Sequence, residues 1–186
     1  MALTKLNFNG SGQGALTSAL SSGTVIQTIS SHKSDTFSMT GSTFTDIDGT
    51  DQNGSGSIFC CKITPTSTSN KILILAVISF GVSSFIGSSR LMRDSTALAI
   101  GDAASSRLRA TQQTGGTGNT PDKYFSDSSP LHFLDSPNST SEIVYKVQIQ
   151  NYTNGTSYIN RTHSDRDTAT YEPRTTSHMT VQEIKI

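Results

Sequence analysis

The sequence predicts an all-β fold, an antiparallel β-sandwich or jelly roll that follows a short N-terminal arm. Short apolar and β-branched segments recur along the 186 residues, with turn-forming residues between them at intervals of about eight to twelve positions. Ser and Thr make up close to a third of the chain and charged residues only 15%, a balance that favours strands and turns over helices. Because the apolar residues occur in periodic blocks, the composition does not indicate a disordered chain.

The first 22 residues differ from the rest of the chain. A flexible Gly/Ser stretch at 9–14 precedes a short apolar segment at 15–20, which has little to bury against by itself. Residues 1–22 are therefore predicted to form an arm that docks on another surface such as a neighbouring subunit, and a disordered tail is the equally weighted alternative. The candidate docking residues are Leu3, Leu6, Phe8, Leu16 and Leu20.

From residue 23 to residue 186 the chain is predicted to form one sandwich domain. The most apolar segment, 71–78, is apolar without alternation, so both of its faces are buried or one face packs on a partner. The last strand reaches the C-terminal residue, which predicts an interior position in a sheet. The predicted strands are 24–31, 36–40, 43–47, 57–63, 71–78, 88–93, 96–100, 105–110, 131–135, 142–150, 156–160 and 177–186.

Polar loops are predicted at 48–56, 111–130 and 161–176, and the first part of the second, 111–123, is long and wholly polar. A loop of that length in a small domain is usually functional or mobile. Aromatic and histidine side chains in these loops suit contact with sugars. The candidate contact residues are Asp48, Asp51, Asn53, Tyr124, Phe125, His163 and Asp165.

No metal or cofactor site is predicted. The Asp-rich turn 46–53 resembles a calcium loop, but position twelve is Ser57 or Phe59 and not an acidic ligand. His163, Asp165 and Asp167 would share one face of an extended segment, yet neighbouring arginines favour a solvated charged loop. The other histidines, His32, His132 and His178, stand alone in the sequence, and Cys60 and Cys61 lack zinc spacing and are expected to be buried thiols.

Several function classes are disfavoured. The net charge is zero with 14 basic and 14 acidic residues, which gives no basic footprint for nucleic acid. The apolar run 72–78 is far shorter than the ~20 residues that a membrane span needs, and the first residues lack the apolar core of a signal peptide. With no catalytic motif and no evident acid/base pair among three Glu, we expect no enzyme activity.

Ordered blocks that resemble a known family extend across nearly the whole chain. They include the opening at 1–6 and 23–27 and the segment 63–75, which is similar to the block ITPSSTSSKILVLV. The family consists of virion structural and tail-fibre proteins of tailed bacteriophages. The departures are the Cys60-Cys61 pair, the loop 111–130 and the turn 46–53. The remaining matching blocks are 90–93, 100–103, 107–110, 131–140, 145–148, 156–161 and 179–184.

This resemblance implies a jelly roll like that of tumour necrosis factor, a homotrimer, and a place in a virion assembled in the host cytoplasm. The first hypothesis is a tail fibre or appendage, anchored by its arm, whose loops contact a host glycan or surface protein. The alternative is a capsid decoration protein whose trimers cement the head. A carbohydrate-active enzyme on a jelly roll is the third hypothesis, disfavoured by the missing acid/base pair.

Overall fold

Within the described residues the chain forms twelve strands, and the longest of them lie where apolar and β-branched side chains alternate with polar ones. The computed structural model describes residues 20–83, 86–115, 124–167 and 170–186. In chain order the strands are β1 (Val25–Lys33), β2 (Phe37–Thr40), β3 (Thr45–Asp46), β4 (Cys60–Ile63), β5 (Lys71–Val82), β6 (Ile86–Arg93), β7 (Thr96–Leu98), β8 (Gln112–Gly115), β9 (Asp127–Asp135), β10 (Ile143–Asn151), β11 (Thr156–Ile159) and β12 (Ser177–Ile184).

The strands pair into two antiparallel sheets, which confirms the predicted β-sandwich. The first sheet follows the pairing order β1-β12-β5-β11-β2, and β9 also pairs with β5. The second sheet follows the order β3-β10-β6-β7, and β4 also pairs with β10 and β8 with β6. The sets β1-β12-β5-β9 and β4-β10-β6-β8 are the eight strands of a jelly roll. The last strand, β12, lies between β1 and β5, so its interior position is also as predicted.

One hydrophobic core lies between the sheets. From β5 it takes Ile72, Ile74, Ala76, Ile78 and Phe80, and every one of these side chains is buried. The alternate residues of β5 point outward, and Leu75 is 41% exposed. The continuous apolarity of this segment therefore reflects one face in the core and one apolar face directed away from it. The remaining core residues come mainly from β4, β6, β10 and β12.

The structure corrects the predictions between residues 105 and 130. Residues 105–110 form no strand: Leu108 is 56% exposed, Ser105 has a positive φ of 53°, and Arg109 closes a loop onto the carbonyl of Gly101. The predicted loop 111–130 contains β8 and the start of β9 instead. These polar segments are strands because their backbone groups pair with β6 and β5, which sequence apolarity does not reveal.

The predicted arm falls mostly outside the described residues, which include Leu20 but not Leu3, Leu6, Phe8 or Leu16. Leu20 is 38% exposed, and its carbonyl accepts a hydrogen bond from Lys185 Nζ at 2.6 Å. Gly23 N–H likewise donates to the carbonyl of Lys185 at 2.7 Å. The chain therefore enters β1 beside the C-terminal end of β12.

Within the described ranges, no helix has the length and apolarity that crossing a bilayer requires.

Candidate functional site

Two loop segments meet at the end of β5: the segment at Phe125 and the longer loop 160–176. Asn160 anchors the longer loop. This residue is fully buried and adopts a left-handed φ of 62°, a conformation that Asn tolerates better than most residues. Its amide nitrogen donates to the carbonyls of Lys33 at 2.9 Å and Asp35 at 2.8 Å. Its amide oxygen accepts from Ser177 Oγ at 2.7 Å. The loop 160–176 therefore starts from a fixed point between β1 and β12.

Gly81 is the position over which both loop segments pass. A Cβ atom at Gly81 would lie 2.7 Å from the carbonyl oxygen of Arg161 and 3.6 Å from that of Phe125. No side chain fits the first distance without moving backbone. The absence of a side chain at Gly81 therefore lets the segments around Phe125 and Arg161 approach each other.

The buried side chain of Glu172 holds the loop 160–176 together through hydrogen bonds. Its carboxylate is buried and accepts hydrogen bonds from Thr162 Oγ1, from Arg166 N and, at 2.8 Å, from Arg166 Nε. Burial acts to raise the pKa of Glu172, but the hydrogen bonds from Arg166 and Thr162 outweigh it and the pKa is lowered. Glu172 therefore stays ionised and fixes the Arg166 guanidinium.

Asp165 holds two further guanidinium groups. Its oxygens accept bonds from Arg161 Nη1 at 3.0 Å and from Arg174 Nε and Nη2, each at 2.7 Å. The Arg174 contact is bidentate, the geometry that best matches guanidinium to carboxylate. Asp165 also has a positive φ of 47°. The extended alternation that would place His163, Asp165 and Asp167 on one face is therefore absent.

Aromatic rings lie against these guanidiniums. Tyr124 and Tyr171 meet edge to face with centroids 5.5 Å apart, and the Arg166 guanidinium carbon lies 4.8 Å and 5.3 Å from their centroids. Arg166 also donates a hydrogen bond to the Tyr171 hydroxyl. Such cation–π geometry holds the rings and the guanidinium as one unit.

A second stack lies in the same loop. Tyr158 and His163 stack with centroids 5.5 Å apart, and the Arg161 guanidinium carbon is 4.2 Å from the Tyr158 centroid. Together these residues form what we call the aromatic–arginine cluster: Tyr124, Tyr158, Arg161, His163, Asp165, Arg166, Tyr171, Glu172 and Arg174. Phe125, 54% exposed, adjoins it.

The structure thus brings together Tyr124, His163 and Asp165 of the predicted contact residues, with Phe125 beside them. The arginines, Tyr158, Tyr171 and Glu172 were not singled out from the sequence. The available signal was the density of Arg, Tyr and His between residues 158 and 174 of a chain poor in charge.

The other predicted contact residues lie in a separate loop, where lysine side chains pair with both predicted carboxylates. Asp48 pairs with Lys33 at 2.9 Å. Asp51 is buried and pairs with Lys62 at 2.9 Å. The Lys62 contact and the backbone N–H groups of Asn53 and Ser55 lower the pKa of Asp51. Asp51 therefore stabilises the turn from a buried position, and Asn53 is the exposed candidate in this loop.

Among the described residues, no group of three or more His, Cys, Asp and Glu side chains is placed to hold a metal ion. Cys60 and Cys61 are free and buried, as predicted. Burial raises the pKa of both thiols. The aromatic–arginine cluster offers instead exposed rings, fixed guanidinium donors and carboxylate acceptors, an arrangement suited to binding a polar ligand through stacking and hydrogen bonds.

No protein-family model and no curated protein matches the chain. Among solved structures it is similar to the VP2 subviral particle of infectious bursal disease virus, at 8% identity and a TM-score of 0.35. The similarity covers 87% of this chain and 42% of that one, so this chain spans less than half the length of its neighbour. A match at this level carries no argument about function.

Proposed function

We propose that this chain is a bacteriophage virion structural protein, the homotrimeric jelly-roll module of a tail fibre or appendage. In this proposal the N-terminal arm anchors the module to other virion proteins and the aromatic–arginine cluster contacts the host surface. The ordered sequence blocks shared with phage structural proteins and the jelly-roll strand pairing support the virion role.

The observation that supports ligand contact best is the exposure of three neighbouring aromatic rings. Tyr171 is 59%, Phe125 54% and Tyr124 38% exposed. Among the described residues the other strongly exposed ring is that of Tyr152, which lies apart from these three. An aromatic ring stacks on the apolar C–H face of a sugar, while nearby polar groups bond its hydroxyls. A surface glycan is therefore the ligand class that this chemistry fits.

Ion pairs also orient the guanidinium groups of the cluster before any ligand binds. Asp165 fixes Arg161 and Arg174, and Glu172 fixes Arg166. A preorganised surface loses less side-chain entropy on binding than a flexible one. This supports a binding role for the loop.

Self-association is supported by the outer face of the first sheet. Its strand register places side chains in three rows across β1, β12, β5 and β9: Thr28–Gln182–Leu73–Leu134, Ser30–Thr180–Leu75–His132 and His32–His178–Val77–Pro130. None of these residues is Asp, Glu, Lys or Arg. The apolar half, on β5 and β9, includes Leu75 and Leu134, which are 41% and 46% exposed, and we propose that copies of the chain meet there.

Binding of the isolated protein to host-surface glycans and adsorption of the phage to its host test the proposed function. Tyr171→Ala should weaken glycan binding about tenfold, because a ring contact contributes about 1 kcal/mol or more. Tyr152→Ala is the matched control, since Tyr152 is 53% exposed but lies beyond the other end of β11. Equal effects of the two substitutions would contradict a role for the cluster.

Capsid decoration is the second candidate, because the apolar half of the outer face suits a trimer on the head equally well. The number of copies per virion separates the two. A few to tens of copies support an appendage, and hundreds support decoration of the capsid.

A further inference from the structure

Two histidines that are far apart in the sequence face each other on the outer face of the first sheet. His32 of β1 and His178 of β12 are directly opposed partners in the antiparallel register. Both are exposed, whereas Ser31, Lys33, Ser177 and Met179, their neighbours along the chain, are buried on the opposite face. The two imidazoles therefore project from the same face of the sheet at neighbouring positions.

The adjacent row shows that side chains on these two strands do meet. Ser30 and Thr180 lie two residues from the histidines on the same face, and their hydroxyl oxygens are 3.0 Å apart. In an antiparallel pair the geometry repeats every second residue, with directly opposed Cβ atoms about 4.5–5.5 Å apart. That spacing lets two imidazole nitrogens converge on one metal ion at about 2.0–2.1 Å each.

The surrounding charge favours a cation. A cleft of about 420 Å³ beside His32 is lined by Lys33, Asp35, Asp48, Gly49, Thr50 and Ser57. Its two carboxylates both pair with the one ammonium group of Lys33, which leaves one net negative charge. The row that contains both histidines continues with Val77 and Pro130, which carry no charge.

We propose that His32 and His178 bind a divalent transition-metal ion of the Zn²⁺, Ni²⁺ or Cu²⁺ type. Imidazole nitrogen is a preferred ligand of these ions, and water would complete the coordination. Such an ion would link the edge strand β1 to β12 on the part of the outer face away from the proposed contact between copies. It would also stabilise the folded state, because the two ligands lie together only there.

Titration of the untagged protein with Cu²⁺ and Zn²⁺, followed by calorimetry, tests this proposal. We expect one ion per chain, and His32→Ala and His178→Ala should each weaken binding at least about tenfold. His132→Ala is the matched control: His132 is exposed on the same face, but it lies on β9 opposite Leu75. Cu²⁺ electron paramagnetic resonance of the wild-type protein should report two nitrogen ligands.

Retention of full affinity in His178→Ala, or an equal loss in His132→Ala, would overturn the proposal. The double substitution Ser30→His with Thr180→His places a second histidine pair in the same geometry and should add a second site. If that variant gains one ion while the wild-type protein binds none, the natural pair is not a metal site.

Discussion

The carboxylate of Glu183 accepts a hydrogen bond from the side-chain amide of Asn70 at 2.7 Å, and both residues are buried. The same oxygen, Oε1, also accepts bonds from Thr66 N at 2.7 Å and Thr66 Oγ1 at 2.8 Å. One acidic residue near the end of β12 thus fixes the loop that leads into β5. Segments far apart in the sequence, 66–70 and the end of β12, therefore meet at this contact.

Glu183→Ala should lower the free energy of unfolding by about 3 kcal/mol, because it removes the charged acceptor of three hydrogen bonds, one of them from the buried amide of Asn70. Glu183→Gln keeps an acceptor oxygen and should cost less. Chemical denaturation measures both, with Gln182→Ala, on the outer face, as the control. A Glu183→Ala protein as stable as the control would contradict this role.

Cys61 should make the protein less stable at alkaline pH. Burial, with a contribution from Cys60, raises the pKa of the Cys61 thiol from 9.0 to about 12. Between these values the unfolded thiol loses its proton while the folded one keeps it, so stability falls as pH rises, by up to about 1.4 kcal/mol per pH unit.

Denaturation of wild-type protein and Cys61→Ala between about pH 9 and 11 measures this slope, which should be shallower in the variant. The native thiol should also react slowly with alkylating reagents at about pH 8, because the thiolate is the reactive form. Parallel pH profiles for the two proteins would show that Cys61 does not titrate in this way.

Gly81→Ala should disturb the aromatic–arginine cluster. The new Cβ would lie 2.7 Å from the Arg161 carbonyl oxygen, so the loop must move, at a cost of about 1–3 kcal/mol. Gly101→Ala is the control because no atom lies within 4 Å of its Cβ position. Thermal unfolding measures the stability difference, and equal midpoints for the two variants would contradict the close approach at Gly81.

Leu75→Asp or Leu134→Asp should convert the proposed trimer to monomers, since a charge on the apolar half of the outer face would be buried between copies. Sedimentation or light scattering gives the mass. Thr28→Asp, on the β1 side of the same face, should leave the assembly intact. A monomeric wild-type protein would refute the proposed trimer contact.

Glycan binding should depend weakly on salt. The arginines of the cluster are already paired with Asp165 and Glu172, so little free charge remains to attract a ligand over a distance. Affinity should change less than about twofold between about 0.05 and 0.5 M salt. A steep loss would indicate recognition through charge instead of stacking and hydrogen bonds.

Local sequence patterns were sufficient to predict the sandwich. Alternation in 142–150 predicted β10, and the apolar segment 71–78 predicted most of β5. The polar strands were not predicted, because hydrogen bonds to a neighbouring strand and not apolar side chains make them strands. Gln112–Gly115, for example, is a strand only because β6 lies beside it. Conversely, the apolar residue Leu108 did not make 105–110 a strand, because no partner strand buries it.

The sequence by itself determined which segments favour strands and turns, and on which face of a strand most side chains lie. These features follow from residues adjacent in the chain and from the two-residue alternation of side chains along a strand. Only the tertiary structure decided which faces meet. Register between distant strands opposes His32 to His178, and the crossing over Gly81 brings the segment at Tyr124 to the arginines of 161–174. These contacts depend on how the whole chain packs, because no local pattern encodes the partner of a residue across a sheet.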